Sequence, residues 1–425
     1  MSNYNEMWRS LGLNMAAHDQ LLQVLPPTYH DVYLTQPNRP QGMEYFDFVV
    51  NEIHGLRIQE LQEHKKTGGK VFGAFCVFVP EEIVRAAGGI CIGLCSGIDI
   101  GAAKAEKVLP RNICPLIKSF MGFKLDKVCP YFESCDVVVG ETTCDGKKKA
   151  FEILNDYIPV HVMETPHMKK PRDRELWLEE VRDFAQLVQK TTGHNISTGD
   201  LAKAIKEVNG KRRALQRLAE LRKQDPALIS GKDSLVIEQI AMYDDIPRFT
   251  EKVNELCDEL ERKVQTGTGA FPRKTPRVIV TGTPMAIPNW KVPHIIETSG
   301  AVIVAEELCT GLRYFEKEVA EDAQTTDGLL ENVAARYLGI NCAVFTPNTG
   351  RMERLLQLAK DYQTDGVIHC ALSFCDPYAV EANRVEIMLK QHNIPLLKIE
   401  TGYDQEDTGQ LKTRIEAFIE MISKA

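Results

Sequence analysis

The sequence lacks several features that would place it in a common class. No apolar run approaches the roughly eighteen residues that a membrane span needs, and the first residues have neither the basic start nor the apolar stretch of a signal peptide. Lys plus Arg number 51 against 59 Asp plus Glu, so the net charge is −8 and the chain lacks a positive field for nucleic acid. We expect a cytoplasmic protein that binds neither membranes nor nucleic acid.

The common short motifs for nucleotides and zinc are also missing. The segment nearest to a phosphate-binding loop, Thr67–Val71, has neither the spacing nor the hydroxyl of that motif, so we do not expect the chain itself to hydrolyse ATP. Gly88, Gly89 and Gly93 do not form the glycine turn of dinucleotide-binding proteins. No His-Glu-x-x-His motif occurs and the ten histidines are scattered, which disfavours a histidine-based zinc site.

Apolar strands and helices alternate along much of the chain. Val71–Val79 is a nearly unbroken apolar run, and Pro80 ends it with a helix-start signature. A strand of this kind is buried on both faces, as in a parallel sheet. Further predicted strands lie at 90–94, 136–140, 159–163, 278–281, 301–305, 366–372 and 395–399.

Helical patterns separate two regions of this alternation, and a Gly- and Pro-rich linker at 265–276 is the best domain boundary in the sequence. We predict four parts: an N-terminal helical element at 1–70, a first α/β domain at 71–170, a helical connector and linker at 171–270, and a second α/β domain at 271–425.

Twelve cysteines stand out in a chain that we expect in a reducing compartment, where thiols stay unpaired. Cys114 and Cys129 are each followed by Pro, which is favoured at the first position of a helix. Cys144 and Cys375 precede helix-like segments. Four thiols are thus predicted at helix N-termini, where the helix dipole favours thiolates and bound anions such as iron–sulfur clusters.

Two more cysteines, Cys95 and Cys309, come just after predicted strands, at the sheet edge where α/β proteins build their sites. The spacing of these six matches no common local ferredoxin pattern. Because cysteine is often a small buried apolar residue, we interpret the other six as packing residues, and two of them, Cys91 and Cys135, lie close in sequence to the supposed ligands. These six are Cys76, Cys91, Cys135, Cys257, Cys342 and Cys370.

Five segments resemble the 2-hydroxyacyl-CoA dehydratase family: 79–89, 109–119, 139–149, 374–378 and 413–421. They occur in the family's order from about residue 70 to the end of the sequence. The resemblance implies one four-iron cluster held by three cysteines, at the matching positions Cys114, Cys144 and Cys375.

Cys95, Cys129 and Cys309 depart from that family pattern and make the chain similar to the double-cubane branch of the family. This resemblance implies that all six cysteines hold two sulfide-bridged four-iron cubanes. It also implies a homodimer that takes low-potential electrons from a separate ATP-hydrolysing reductase, which carries its own four-iron cluster, and that reduces small molecules.

We therefore expect an α/β protein with two flavodoxin-like parallel-sheet domains and a cluster in the cleft between them, acting as an oxygen-sensitive oxidoreductase. The first alternative is a lyase, namely a 2-hydroxyacyl-CoA dehydratase subunit with a single [4Fe–4S] cluster. Others are an electron carrier or metal store, and a chain whose thiols only pack. No proton donor is evident, because Glu141, His369 and Ser373 beside the presumed ligands are interpreted as supporting or packing residues.

Overall fold

The computed structural model describes residues 4–94 and 96–424, and within them it contains two four-stranded parallel sheets. The first sheet consists of β1 (Val71–Ala74), β2 (Ile90–Gly93), β3 (Val137–Glu141) and β4 (Val160–Met163), in the order β2-β1-β3-β4. The second consists of β5 (Arg277–Gly282), β6 (Val302–Glu307), β7 (Gly366–Leu372) and β8 (Leu396–Thr401), in the order β6-β5-β7-β8. Both sheets have the strand order of flavodoxin-like folds, which confirms the predicted α/β class.

Helices precede, separate and flank the sheets. The N-terminal helices are α1 (Asn5–Ser10), α2 (Met15–Tyr29), α3 (Met43–Asn51) and α4 (Leu56–Lys66), with a π-helical turn at His30–Leu34. The first sheet carries α5 (Glu81–Ala86), α6 (Ala102–Ala105), α7 (Pro115–Leu125), α8 (Pro130–Ser134) and α9 (Asp145–Leu154), and we call residues 71–163 the first lobe.

The connector consists of α10 (Pro171–Thr192), α11 (Thr198–Leu221), α12 (Gly231–Ile240) and α13 (Ile246–Thr266). The second lobe, residues 277–423, contains α14 (Lys291–Thr298), α15 (Leu312–Phe315), α16 (Thr326–Leu338), α17 (Thr349–Asp361), α18 (Asp376–Gln391) and α19 (Thr408–Ser423). The predicted limits at 70, 170 and 270 fall between these elements, and the division into domains stays a prediction.

The predicted strand at Val71–Val79 is too long, because β1 ends at Ala74. Ala74 is the last residue that pairs with both neighbours, opposite Gly93 of β2 and Val139 of β3. Beyond it the chain turns away, and its apolar side chains enter the core; Phe75, for example, packs on Phe120 with 4.3 Å between ring centroids. Burial in a core loop produces the same apolar run as a two-sided strand, which explains the error.

Two adjacent carboxylates at the start of α5 join the first lobe to the rest of the molecule. Glu81 accepts hydrogen bonds from Lys211 of the connector and Tyr314 of the second lobe, at 2.7 and 2.6 Å, whereas Glu82 pairs with Arg212 at 2.6 Å and accepts from Tyr337 at 2.7 Å. Both carboxylates are buried. Since a buried charge without its partner is costly, these contacts fix the two lobes relative to each other.

None of the helices in the described part of the chain combines the length and the apolarity that crossing a bilayer requires.

A buried carboxylate also anchors the connector to the second sheet. Glu297 of α14 accepts hydrogen bonds from the backbone N–H groups of Gly231 at 2.7 Å and Ile303 at 3.3 Å, so it ties the start of α12 to β6. Burial raises the pKa of Glu297 to about 7. The folded state therefore binds a proton that the unfolded state releases near pH 4.5, and the stabilising effect of protonation is lost as the pH rises through about 7.

We predict that Glu297→Gln removes this pH dependence. Relative to the wild type, the variant should gain up to about 3 kcal/mol in free energy of unfolding between pH 5 and pH 8, since each pKa unit corresponds to about 1.4 kcal/mol. Urea unfolding of both proteins at the two pH values measures the gain. Replacement of the exposed Glu353 by Gln is the matched control, and a gain no larger than in this control would contradict the prediction.

Candidate functional site

The carboxyl ends of strands from both sheets face one large cavity of about 2100 Å³. Cys76 follows β1, Cys144 follows β3, Cys309 follows β6 and Cys375 follows β7, and all four line this cavity. Strand ends of parallel sheets are the usual place for sites in α/β proteins, because the loops there are free to carry functional groups. Here two such edges face each other across a single cavity.

The N-terminal helices close part of the cavity with apolar side chains and one imidazole. Leu21 and Leu25 come from α2, and Ile53 and His54 come from the turn between α3 and α4. The His54 ring is buried, and burial lowers its pKa well below the usual value, so the imidazole is neutral. This part of the wall is therefore uncharged.

The four predicted helix N-caps are confirmed: Cys114, Cys129, Cys144 and Cys375 cap α7, α8, α9 and α18. The Cys144 sulfur accepts a hydrogen bond from the backbone N–H of Lys147 at 3.4 Å. At the other three, backbone N–H groups of the first helical turn face the sulfur without closing a capping hydrogen bond, and they still favour the thiolate.

Three of these thiols form a group that draws on both lobes. Cys114 and Cys375 interact with each other, and Cys144 is near enough to interact electrostatically with both. The interaction lowers the pKa of Cys114 and raises that of Cys375, while burial raises the pKa of Cys144. The structure thus brings together the three positions at which the sequence resemblance predicts a four-iron cluster.

The other sequence-predicted cysteines have separate surroundings. Cys129 lines the cavity, and burial raises its pKa to about 11. It interacts electrostatically with the Cys135 thiol. Cys309 lies on the opposite lobe, where its interaction with Cys76 and the nearby Arg313 guanidinium lower its pKa to about 6. Cys95 lies outside the described residues.

Three thiols that the sequence interpretation assigned to packing line the cavity, namely Cys76, Cys91 and Cys342. Cys76 is not inside a strand, because β1 ends two residues earlier, and Cys342 lies in the loop between α16 and α17. A correct prediction of the end of β1 would have placed Cys76 at the sheet edge as a candidate site residue, whereas nothing in the local sequence indicates that Cys342 lines the cavity. Cys135, Cys257 and Cys370 are buried and fit the packing interpretation.

The chemistry of these donors fits an iron–sulfur cluster better than a single ion. In the part of the chain that the structure describes, no three His, Cys, Asp or Glu side chains stand close enough to hold one metal ion. A single zinc ion needs each sulfur about 2.3 Å away, whereas a cluster binds each thiolate through a different iron and spans a wider gap. Separated thiols on a cavity wall therefore fit an iron–sulfur cluster better than a single zinc ion.

Buried ion pairs support the wall behind Cys309. Arg313 donates from Nε and Nη2 to the two carboxylate oxygens of Glu307, both at 2.6 Å, and its Nη1 lies 3.8 Å from the Cys309 sulfur. Arg351 donates to Glu307 at 3.1 Å and also pairs with Glu381. The two guanidinium groups outweigh burial and lower the pKa of Glu307 to about 2. The network fixes a positive group beside this thiol.

The three polar residues that the sequence placed beside the presumed ligands have supporting positions. Glu141 is fully buried and forms an ion pair with Lys147, whose side chain reaches the cavity wall. His369 is buried, and burial lowers its pKa to about 3. Ser373 donates its backbone N–H to Thr401 at 2.9 Å, continuing the sheet.

We predict that Glu307→Gln destabilises the protein by about 3–5 kcal/mol, because it leaves two buried guanidinium groups with a single carboxylate. The folded-state pKa of Glu307 is depressed, so its contribution is complete above pH 4.5 and is lost only as the pH falls toward 2. Urea unfolding should therefore give the same loss at pH 5 and pH 8. A loss no larger than that of the exposed Glu353→Gln would contradict the prediction.

Comparison with known proteins gives matches along most of the chain. The family model described as 2-hydroxyglutaryl-CoA dehydratase, D-component, matches residues 76–422. A putative dehydratase subunit, YjiM, of Escherichia coli K12 is 41% identical over 375 residues, covering 86% of this chain and 94% of its own length.

Two more distant relatives have names that state an activity. The beta subunit of (R)-2-hydroxyglutaryl-CoA dehydratase of Acidaminococcus fermentans is 24% identical, covering 85% of this chain and 95% of the relative. A benzoyl-CoA reductase subunit of Thauera aromatica is 22% identical, covering 81% of this chain and 87% of the relative. The similar proteins thus include both a dehydratase and a reductase component.

Proposed function

Because the chain belongs to the 2-hydroxyglutaryl-CoA dehydratase D-component family, we propose that this dehydratase-type component is an iron–sulfur reductase. It accepts low-potential electrons from a separate ATP-hydrolysing protein with its own four-iron cluster and passes them to a small molecule. The cofactor is a double-cubane cluster, formed by two sulfide-bridged four-iron units in the cavity between the lobes.

One observation carries this proposal: all five of the sequence-predicted ligands that the structure describes line the same cavity. They are Cys114, Cys129, Cys144, Cys309 and Cys375. A single four-iron unit needs only the group at Cys114, Cys144 and Cys375. Cys309 lies outside that group, beside the buried Arg313 guanidinium. We expect Cys309 to be a ligand of a second four-iron unit, for which the sequence resemblance implies Cys95 and Cys129 as the other ligands.

The residues of the chain itself hold and shield the cofactor. A bound iron–sulfur cluster supplies one-electron transfer at low potential, and hydrogen bonds to its sulfurs and burial set that potential. First-turn N–H groups of four helices and the Arg313 guanidinium direct positive charge at thiolates. The apolar wall from the N-terminal helices keeps bulk water from one part of the cavity.

The proposal includes a separate partner protein that hydrolyses ATP. The sequence has no phosphate-binding loop, which agrees with ATP hydrolysis by another protein. Relatives are named as subunits of dehydratases and of a reductase, which supports a chain that works with other components. We further propose that the protein is a cytoplasmic homodimer.

A second function, a 2-hydroxyacyl-CoA dehydratase subunit with one [4Fe–4S] cluster, is favoured by the interacting thiols Cys114, Cys144 and Cys375 and by the names of the relatives. The two functions differ in the number of irons that each chain holds.

Anaerobic purification followed by iron and acid-labile sulfide analysis tests the proposal. The double-cubane reductase predicts about eight irons per chain, and the dehydratase predicts about four. Absence of iron after reconstitution with iron and sulfide would contradict both functions.

Two substitutions separate the cluster units. We expect Cys144→Ala and Cys309→Ala each to lose about half of the iron, because each removes a ligand of one four-iron unit. Cys257→Ala, which changes a buried thiol of α13 that does not line the cavity, should keep the full iron content. Full iron retention by Cys309→Ala would contradict the second unit and leave the single-cluster dehydratase.

A further inference from the structure

The thiols that interact with Cys309 in the structure differ from Cys95 and Cys129, with which the sequence interpretation grouped it. Cys309, Cys76 and Cys342 line the same cavity, where Cys309 and Cys76 shift the pKa of each other and Cys342 interacts electrostatically with both. This second group has the same pattern as the first one, in which Cys114 and Cys375 shift the pKa of each other and Cys144 interacts electrostatically with both. The repetition suggests that the two groups have the same role.

The second group also joins distant parts of the fold at the cavity. Cys76 comes from the end of β1 in the first lobe, while Cys309 follows β6 and Cys342 follows α16 in the second lobe. All three line the cavity. Thiols that only filled the core would have no reason to meet at the boundary between two lobes and to face a large empty space.

Polar donors next to the group suit sulfur ligands that carry negative charge. Arg313 Nη1 lies 3.8 Å from the Cys309 sulfur, and the Tyr378 hydroxyl lies 3.6 Å from the Cys342 sulfur. Arg313 is also hydrogen-bonded to Tyr378, so the two donors hold each other in place. Donors of this kind surround the thiolates of iron–sulfur proteins and tune their potential.

Cys129 has different surroundings. Burial raises the pKa of Cys129. Cys129 interacts electrostatically with the Cys135 thiol, which donates a hydrogen bond to the backbone carbonyl of Tyr131 at 3.2 Å. Cys135 is buried in the core against β1, where Gly73 leaves no room for a side chain: a Cβ there would come within 2.8 Å of the Cys135 sulfur. Cys129 lines the cavity, but the groups that shift its pKa are Phe132, Tyr131 and Glu133 of its own segment in the first lobe.

We propose that Cys76, Cys309 and Cys342 hold the second iron–sulfur unit, and that Cys129 is a wall residue without iron. Each thiol binds iron as the thiolate and releases its proton on binding. This site rests on the proposed function, because it requires a second four-iron unit, but it changes which residues hold that unit. Both units then bridge the two lobes, each with three cysteines.

Iron and acid-labile sulfide content of single variants decides the assignment. Cys76→Ala and Cys342→Ala should each fall to about half of the wild-type iron, whereas Cys129→Ala keeps all of it. Far-UV circular dichroism and gel filtration of every variant show that it is folded, and the Ser variants at 76 and 342 replace any Ala variant that is not.

Thiol protection gives a readout that does not depend on iron counting. In the iron-free protein, mild oxidation with diamide should form a Cys76–Cys309 disulfide that peptide mass spectrometry identifies, and the Cys114–Cys375 disulfide serves as the positive control. Reconstitution with iron and sulfide should protect Cys76 and Cys342 from iodoacetamide, while the Cys129 thiol reacts at the same rate before and after.

The outcomes separate this assignment from the proposed function. About eight irons in the wild type, with full retention in Cys76→Ala and Cys342→Ala, overturns the assignment and leaves the double-cubane function in place. An iron loss in Cys129→Ala as large as that in Cys76→Ala also overturns it. Four irons or none in the wild type overturns the double-cubane function and this site together.

Discussion

Two adjacent buried carboxylates, Glu81 and Glu82, hold the molecule together around its cavity. They start the first helix of the first lobe and are bound by cations and tyrosine hydroxyls of the connector and the second lobe. Removing either side would leave a charge in the interior without a partner, so the lobes have one favoured arrangement. Thiols that are far apart in sequence can meet only because this arrangement is fixed.

The sequence predicted the repeating part of the fold well, because parallel strands and helix starts have local signals. Apolar runs identified both sheets, and the Pro after Cys114 and Cys129 identified two helix N-caps correctly. The error at Val71–Val79 has a physical cause: burial in a sheet and burial in a core loop select the same side chains. Strand length depends on where the neighbouring strands end, and a single segment does not contain that information.

The site was predictable in part for the same reason. Cys144 and Cys375 follow strands and begin helices, so the sequence itself locates them at a sheet edge. Cys342 follows a helix and precedes another, and its place on the cavity wall depends on how the second lobe packs against the first. The ion pairs of Glu307 with Arg313 and Arg351 could not be predicted from the sequence either, because they join elements that only the folded chain brings together.

The N-terminal helices cover part of the cavity, yet the family match begins at residue 76, after they end. The thiols and the ion pairs behind them all lie within the matched region, so the apolar cover and the thiol wall of the cavity come from separate stretches of the chain. Substitutions in the leading stretch can therefore reshape one side of the cavity while every thiol of the opposite wall keeps its place.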